Sequence, residues 1–371
     1  MPSFGILSTY SPTACGLATF SAALADGLTA RGIDVSVVRI ADEQASTEPA
    51  VVGELVNGDP ASATATAELL NRSDIAIIQH EYGIYGGPDG DEVVKIMEAL
   101  RIPSIVVAHT VLKDPTPQQR SVLERVMALA AQVIVMSEAA RERLCAGFAV
   151  DHDKITTIPH GAALPATNGV RHSERPTILT WGLIGPGKGI ERVIDAMTSL
   201  KNLPNPPRYL IAGRTHPKVL ATQGEAYREA LFAQAKRLGV ADSVSFDADY
   251  RTRAAITELV QTAAVVVLPY DSKEQVTSGV LVDSVASGRP IVATAFPHAV
   301  ELLGGGAGTV VAHDDPGALL TALSRLLTDP QVAGSMATHA RGLAPALAWP
   351  VVASAYLELA QRLVAESLAV A

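Results

Sequence analysis

Two successive runs of short apolar segments, alternating with amphipathic segments, constrain the fold of this chain more than any other feature of its sequence. In the first half, β-branched segments at 75–79, 104–108 and 132–136 are separated by helical patterns such as 118–129. Strands that are apolar on both faces and have helices between them are typical of a parallel sheet covered on both sides. The first half therefore predicts a doubly wound α/β domain.

The same alternation restarts after a break at 162–176 that is rich in proline and glycine. It begins again with a strand predicted at 177–181, so that the chain contains two βα runs of similar size. We expect two Rossmann-like domains that face each other across a cleft, one over residues 1–170 and the other over 171–348. In this architecture, the crevice outside the carboxyl ends of the strands is the natural ligand site. The remaining residues, 349–371, predict one amphipathic helix.

Composition and charge exclude several classes of protein. Hydrophobic residues make up 48% of the chain and charged residues 18%, which favours a large core over disorder. The net charge of −9 and the lack of a long basic run disfavour nucleic-acid binding. No apolar run approaches the roughly 18 residues of a membrane-spanning helix, and two cysteines, Cys15 and Cys145, predict neither a disulfide framework nor a zinc cluster. We expect a soluble cytoplasmic protein, with peripheral membrane contact left open.

The loop after the first predicted strand, residues 10–17, contains Gly16 directly before a helix. A glycine lets the backbone approach a ligand closely, and a helix start offers free N–H groups and a partial positive charge. The loop lacks the GxGxxG spacing of a dinucleotide site, which disfavours a nicotinamide-dependent oxidoreductase. An ordinary connecting turn is the alternative interpretation.

Three histidines, His80, His109 and His160, lie at predicted strand ends in the first domain. A single such histidine is more often a core or loop residue than a catalytic one. Three at strand ends of one domain favour a functional role, together with the adjacent Glu81 and Tyr82. No HExxH or cysteine spacing accompanies them, so we expect no metal.

In the second domain, a glycine-rich loop at 182–191 presents Lys188, preceded by Gly187, at a helix start. This arrangement suits an anion, above all a phosphate. It is not a Walker A loop, because neither serine nor threonine follows the lysine. Arg214, at the next strand end, is a second candidate cation. A solvated surface position is the alternative for either side chain.

The polar segment 269–283 leads into a helix that opens with Thr277, Ser278 and Gly279, and Asp283 lies about one turn inside it. Free amides at such a start can hold a diphosphate or sugar hydroxyls, and the carboxylate can bind a ribose diol. An ordinary N-capped helix explains the same residues equally well.

Taken together, these motifs resemble glycosyltransferase family 4 over nearly the whole chain. The glycine-bearing first loop, His109, the IPHG segment at 158–161 and Lys188-Gly189 fall in the family's order, and so do ASGRPIVAT at 286–294, the later Glu301 and the tryptophan at 349. The resemblance implies a GT-B fold whose last helix crosses back to the first domain. It also implies retaining transfer of a sugar from a nucleotide donor to an acceptor hydroxyl, with neither a bound metal nor a cofactor.

Carried over residue by residue, the resemblance implies that Lys188 holds the diphosphate and that His109 lies near the reacting sugar. It implies that the amides of Ser278 and Gly279 meet phosphate or sugar, and that Asp283 binds the donor ribose. The full prediction names three catalytic residues (His109, Lys188, Arg214), a donor-binding set (Gly16, Gly187, Glu274, Gln275, Thr277, Ser278, Gly279, Asp283) and acceptor or cleft residues (His80, Glu81, Tyr82, His160).

The sequence departs from the family pattern at two places. The arginine that commonly stands five residues before the lysine is Leu183 here, and Arg214 is the candidate replacement for its charge. The family's two glutamates, which have seven residues between them, align with Gln275 and Asp283, and Glu274 lies one place early. A neutral Gln275 changes how the hydroxyls of the donor sugar are recognised.

The leading hypothesis is a hexosyltransferase that moves mannose or glucose from GDP-mannose or UDP-glucose to a carbohydrate or glycolipid acceptor, with a mannosyltransferase slightly ahead. One alternative is a glycoside phosphorylase on the same fold that uses sugar 1-phosphate, because a missing arginine suits one phosphate fewer. Another is a non-catalytic protein that binds a sugar nucleotide. The acceptor and the oligomeric state are left open.

Overall fold

The computed structural model describes residues 1–165, 175–249 and 251–370 and divides into two compact units. The first unit comprises Met1–Gly161 together with Trp349–Ala371, and the second comprises Ala162–Ala348. The sequence-based boundary between residues 170 and 171 lies outside the described residues, as does most of the predicted linker.

Within the described residues, the first unit contains a seven-stranded sheet in which neighbouring strands are parallel. Its strands are β1 Phe4–Ser8, β2 Val35–Ile40, β3 Val51–Leu55, β4 Ile75–His80, β5 Ser104–Ala108, β6 Gln132–Val135 and β7 Ile155–Thr157. They lie side by side in the order β3-β2-β1-β4-β5-β6-β7. The helices before the second unit are α1 Gly16–Thr29, α2 Pro60–Leu70, α3 Glu92–Glu98, α4 Pro117–Leu129 and α5 Glu138–Gly147.

The register of β4 and β5 brings two of the predicted histidines together. Every residue of both strands is buried, as expected for strands that are apolar on both faces. His80 is paired with Ala108, so that β4 ends level with β5 and His109 follows immediately. The carboxyl ends of these central strands therefore lie side by side at one edge of the sheet.

The second unit repeats this architecture with a six-stranded parallel sheet within the residues described. Its strands are β8 Thr177–Trp181, β9 Arg208–Ala212, β10 Val244–Asp247, β11 Val265–Leu268, β12 Ile291–Thr294 and β13 Thr309–Val311, in the order β10-β9-β8-β11-β12-β13. Its helices are α6 Ile190–Leu200, α7 Pro217–Gln223, α8 Ala226–Arg237, α9 Arg253–Thr262, α10 Gly279–Ala286, α11 Pro297–Leu303, α12 Pro316–Thr328 and α13 Pro330–Leu347. The predicted doubly wound α/β class is confirmed for both units.

The last helix, α14 Trp349–Val370, belongs to the first unit although it follows the second unit in sequence. It packs on α1, where a Cβ added to Gly27 would lie 2.9 Å from the Cβ of Ala353. Ala353, Tyr356 and Ala360 are fully buried in the core of the first unit. The predicted return of the final helix to the first domain is therefore confirmed.

Candidate active site

The three predicted histidines of the first unit cluster at the carboxyl edge of its sheet. The ring of Phe20 lies edge-on to His109 and His160, with ring centroids 5.0 Å and 5.1 Å away. The Trp349 ring, at the start of α14, contacts the same Phe20 ring at 5.1 Å. His80 is 1% exposed and lies beside Tyr82, at 5.1 Å between ring centroids.

Burial keeps these imidazoles neutral near pH 7. Loss of hydration lowers the pKa of His80 to about 4 and that of His160 to about 4. Burial, with smaller contributions from the nearby His160 and His80, lowers the pKa of His109 to about 3. Neutral rings can donate and accept hydrogen bonds, so the cluster is suited to binding hydroxyl groups rather than to carrying positive charge.

Gln79, which the sequence analysis did not single out, contacts His109. It is fully buried on β4, and its Oε1 lies 2.5 Å from Nε2 of the imidazole. An amide oxygen only accepts, so Nε2 of neutral His109 carries the proton and Nδ1 is left as an acceptor. The only sequence signal for this role is its place directly before His80 at the same strand end.

Hydrogen bonds within the segment, and to the end of β4, hold the residues after β4 in place. The Glu81 carboxylate accepts from the Gly83 amide at 2.7 Å, and the Tyr85 hydroxyl donates to the Gln79 carbonyl at 2.7 Å. Tyr82 is buried, and its hydroxyl has no hydrogen-bond partner among the described residues. The structure therefore places Tyr82 with the histidines, while one oxygen of Glu81 is used in the turn.

The loop before α1 leaves Gly16 accessible. Cys15 caps the helix, because its Sγ accepts from the Ala18 amide at 3.4 Å, and a Cβ added to Gly16 would meet nothing within 4 Å. Arg39, which the sequence analysis did not identify, is fully buried beneath the loop. Its guanidinium donates to the Tyr10 carbonyl at 3.3 Å and to the Thr13 hydroxyl at 2.9 Å.

In the second unit, the loop from β8 to α6 places Lys188 over an aromatic ring. Its ammonium lies 4.4 Å from the centroid of Tyr270. Gly189 has φ +64°, and a Cβ there would overlap the carbonyl oxygen of Pro269. Only glycine fits this position, which brings the loop against the segment after β11. The Gly187 carbonyl also accepts from the Asp271 amide of that segment at 2.9 Å.

Arg214 lies alongside Leu183, where the family pattern has an arginine. The Ile184 amide donates to the Arg214 carbonyl at 2.9 Å, and the His216 amide donates back to the Ile184 carbonyl at 2.8 Å. A Cβ added to Gly213 would overlap the Gly182 carbonyl oxygen. These backbone contacts bring the Arg214 loop and the loop that carries Lys188 together.

The start of α10 differs in one respect from the prediction. Ser278 caps the helix, because its Oγ accepts from the Leu281 amide at 3.2 Å, but its own amide donates to Nδ1 of His298 at 2.9 Å. That amide is therefore already engaged. The amides of Gly279 and Val280, in the first turn of α10, have no acceptor among the residues described here.

His298 and the segment before α10 also fix each other. The His298 amide donates to the Gln275 carbonyl at 3.3 Å, and the Gln275 side chain donates to the Thr277 carbonyl at 3.0 Å. The Thr277 hydroxyl oxygen is buried without a partner in the described part of the chain, whereas Glu274 is exposed. Nothing in the sequence singled out His298, because the residue follows β12 and reaches Ser278 only through the fold.

Asp283 lies one turn into α10 with a carboxyl group that titrates near neutrality. Burial raises its pKa to about 7, and the charge of Arg253 partly opposes this shift. A ligand that donates hydrogen bonds to both carboxylate oxygens, such as a vicinal diol, would favour the ionised form.

Two further properties of the described residues bear on function. No group of three His, Cys, Asp or Glu side chains is arranged there to hold a metal ion. No described helix is both long and apolar enough to cross a membrane.

Comparison with protein families identifies the chain. Residues 14–164 match the model of "Glycosyltransferase Family 4", and residues 175–329 match that of "Glycosyl transferases group 1". The chain belongs to glycosyltransferase family 4. It is therefore a glycosyltransferase, and its two Rossmann-like units are those of the GT-B fold.

Solved structures of other proteins share this fold. A glycosyltransferase from Rickettsia africae superposes with a TM-score of 0.76 at 13% identity, over 98% of each chain. Sucrose-phosphate synthase from Thermosynechococcus elongatus gives 0.75 at 18% identity, over 98% of this glycosyltransferase and 100% of the synthase. HepE from Anabaena, in complex with UDP and glucose, gives 0.74 at 16% identity, over 97% and 100%. The comparison with curated proteins finds no match.

Proposed function

We propose that this glycosyltransferase moves a hexosyl group from a nucleotide diphosphate sugar to a hydroxyl of a carbohydrate or glycolipid acceptor, with retention of configuration and without a divalent metal. The observation that carries this proposal is the grouping of Lys188, the α10 start and Asp283 within the second unit. Lys188 and the α10 start suit the diphosphate of such a donor, and Asp283 suits its ribose.

The leaving diphosphate requires positive charge that is already in place. The Lys188 ammonium supplies one charge, and the amides of Gly279 and Val280 lie at the positive end of the α10 dipole. Such groups stabilise charge that develops in the transition state, because they need no reorganisation as the bond breaks. Arg214 supplies a second charge beside Leu183.

The ribose and the sugars are bound by different groups. Asp283 accepts hydrogen bonds from the ribose diol in its ionised form. His109, held by Gln79, accepts from a hydroxyl of the reacting sugar through Nδ1. We assign His80, Tyr82 and His160 to hydroxyl groups on the acceptor side, which makes the first unit the acceptor-side domain.

UDP-glucose and GDP-mannose are the donors that we propose. HepE, a structural neighbour, has been solved with UDP and with UDP-glucose, which makes UDP-glucose the first donor to test. A glycolipid acceptor would bring the enzyme to a membrane surface, and acceptors presented in vesicles test this.

A donor screen read by mass spectrometry tests the proposal. Wild-type protein and Lys188→Ala are incubated with UDP-, GDP- and ADP-sugars, with and without acceptors and a metal chelator. We expect nucleotide release that depends on an acceptor, persists with the chelator and is lost in Lys188→Ala. A donor that binds in calorimetry but is never consumed would support the non-catalytic alternative.

A glycoside phosphorylase is the second candidate, and Leu183 is the observation that favours it. A hydrophobic residue at the family's arginine position leaves one charge fewer, which suits a leaving group with one phosphate. Incubation with orthophosphate and oligosaccharides would then release sugar 1-phosphate, whereas the proposed transferase releases none.

A further inference from the structure

The Lys188 ammonium rests on a neutral aromatic ring rather than on a carboxylate. Its distance of 4.4 Å from the Tyr270 centroid lies inside the range of a cation–π contact, about 6 Å. Among the described residues, Lys188 forms no salt bridge. The nearby carboxylate of Asp271 pairs instead with Arg192, which also donates to the Pro269 carbonyl.

The Tyr270 ring is held in place by the ring of Phe296. It is 2% exposed and stacks on the fully buried Phe296 ring, with centroids 5.4 Å apart and planes inclined by 22°. The Thr294 hydroxyl donates to the Tyr270 carbonyl at 2.7 Å and so holds its backbone. The ring therefore gives Lys188 a rigid support that belongs to the core of the second unit.

We infer that Tyr270 is a positioning residue for the diphosphate, which acts by holding Lys188 in place without neutralising its charge. A carboxylate partner would have to be displaced when an anion binds, whereas the face of a ring attracts the cation and leaves the charge uncompensated. The ring contact also leaves ammonium N–H donors available for phosphate oxygens. This inference rests on the proposed role of Lys188 in donor binding.

A double-mutant cycle on nucleotide affinity tests whether Tyr270 acts through Lys188. The dissociation constants of UDP and uridine, and in parallel of GDP and guanosine, are measured by calorimetry for wild type, Lys188→Ala, Tyr270→Leu and the double variant. We expect Tyr270→Leu to weaken binding of the diphosphate by about 5- to 20-fold and nucleoside binding by less than about 2-fold. In the Lys188→Ala background, the same change should add less than about 2-fold.

Two controls in the chain match this cycle. Tyr270→Phe keeps the ring and should restore diphosphate affinity to within about 2-fold of wild type. Phe232→Leu removes another ring that carries a lysine, Lys236 at 5.1 Å on α8, and should leave nucleotide affinity unchanged. Equal losses from Tyr270→Leu in both backgrounds, or equal losses for nucleoside and nucleotide, would overturn the inference.

Fluorinated phenylalanines at position 270 decide the question if Tyr270→Leu does not fold. Successive ring fluorines weaken the negative face while preserving shape, so diphosphate affinity should fall steadily along the series. Constant affinity would refute a role for the ring face. If Lys188→Ala binds UDP and GDP as tightly as the wild type does, the proposed function fails. If Lys188→Ala weakens binding but the Tyr270 variants leave diphosphate affinity unchanged, the inference alone fails.

Discussion

Burial sets the charge of the three histidines and of Asp283 in this glycosyltransferase. His80, His109 and His160 have depressed pKa values and are neutral near pH 7, so they contribute hydrogen bonds. Asp283 has a raised pKa of about 7 and is partly protonated there. In the proposed function, fixed positive charge at the donor site is therefore assigned to Lys188 and Arg214 rather than to the histidines.

Replacing Lys188 with alanine should lower turnover by about two orders of magnitude or more, the scale of losing one group that stabilises transition-state charge. The measurement is kcat and KM with the donor identified by the screen. Arg325→Ala, an exposed change on α12, is the control. Near-wild-type turnover in Lys188→Ala would remove the residue from the mechanism.

Arg214→Ala should reduce activity more than Arg325→Ala does, because backbone contacts place Arg214 beside Leu183, where the family has a cation. The same kinetic measurement applies, with Leu183→Arg in the Arg214→Ala background as a rescue. Small and equal effects of the two arginine changes would show that Arg214 does not replace the missing charge.

Donor affinity should depend on pH through Asp283. The carboxylate accepts both ribose hydroxyls and the neutral acid does not, so UDP binding should weaken below about pH 7, by up to about tenfold per pH unit. Asp283→Asn should bind UDP weakly at every pH. Calorimetry across this range checks both statements, and a flat profile for the wild type would contradict them.

Ionisation of Asp283 should favour UDP binding but reduce the stability of the fold. The folded pKa of about 7 exceeds the ordinary value of 3.8, so the folded state holds a proton that the unfolded chain releases between these values. Ionisation of this carboxyl therefore destabilises the fold as the pH rises through that window. Asp283→Asn should raise Tm at about pH 8 more than at about pH 4, as measured by calorimetric melting.

The first turns of α10 and α6 are capped in different ways. At α10, the Ser278 side chain caps the helix and His298 takes the Ser278 amide, which leaves the amides of Gly279 and Val280 for a ligand. At α6, the cap is Gly189 in the left-handed region, with no side-chain cap. The α6 cap itself forms the contact with Pro269.

Gly189→Ala should disrupt this contact. A Cβ at 189 would overlap the Pro269 carbonyl oxygen in addition to the left-handed strain, whereas a Cβ at Gly187 has the strain alone and meets nothing within 4 Å. We expect the fall in Tm for Gly189→Ala to be at least about twice that for Gly187→Ala, which carries about 1–2 kcal/mol of strain. An equal fall in Tm for Gly189→Ala and Gly187→Ala would show that overlap with the Pro269 carbonyl does not contribute to the loss of stability.

Elements with strong periodicity could be predicted from the sequence, and weak ones could not. The strands at 104–108 and 177–181 have the predicted bounds, because short runs rich in apolar and β-branched residues leave little choice. β3, with the sequence VVGEL, and the seven-residue α7 were missed, because neither is long or apolar enough to stand out. The residues of the candidate site show the same contrast between clear sequence patterns and contacts made by packing. Strand-end histidines and the helix-start lysine were predictable, whereas the contacts of Gln79, Tyr270 and His298 arise only from packing.

The first unit is built from two separate stretches of the sequence, Met1–Gly161 and Trp349–Ala371. Trp349 begins α14, and a Cβ added to Gly161 would overlap its ring. The same ring contacts Phe20 at 5.1 Å and His160 at 5.8 Å between centroids. The end of the chain thus completes the histidine cluster that β4, β5 and the IPHG segment begin.

Trp349→Ala should therefore change the chemistry of the cluster as well as stability. Removal of a buried tryptophan typically costs about 3–5 kcal/mol, and the space left beside Phe20 and His160 would admit water. Because burial is what lowers the pKa of His160 to about 4, hydration should raise that pKa toward its ordinary value of 6.5. A histidine NMR titration, with the signal assigned by His160→Gln, measures the shift. Leu357→Ala, a buried change further along α14, should destabilise the first unit but leave the pKa of His160 unmoved. If both variants shift it equally, α14 acts on the histidines through general loosening of the core; a shift confined to Trp349→Ala shows that the helix shields them directly.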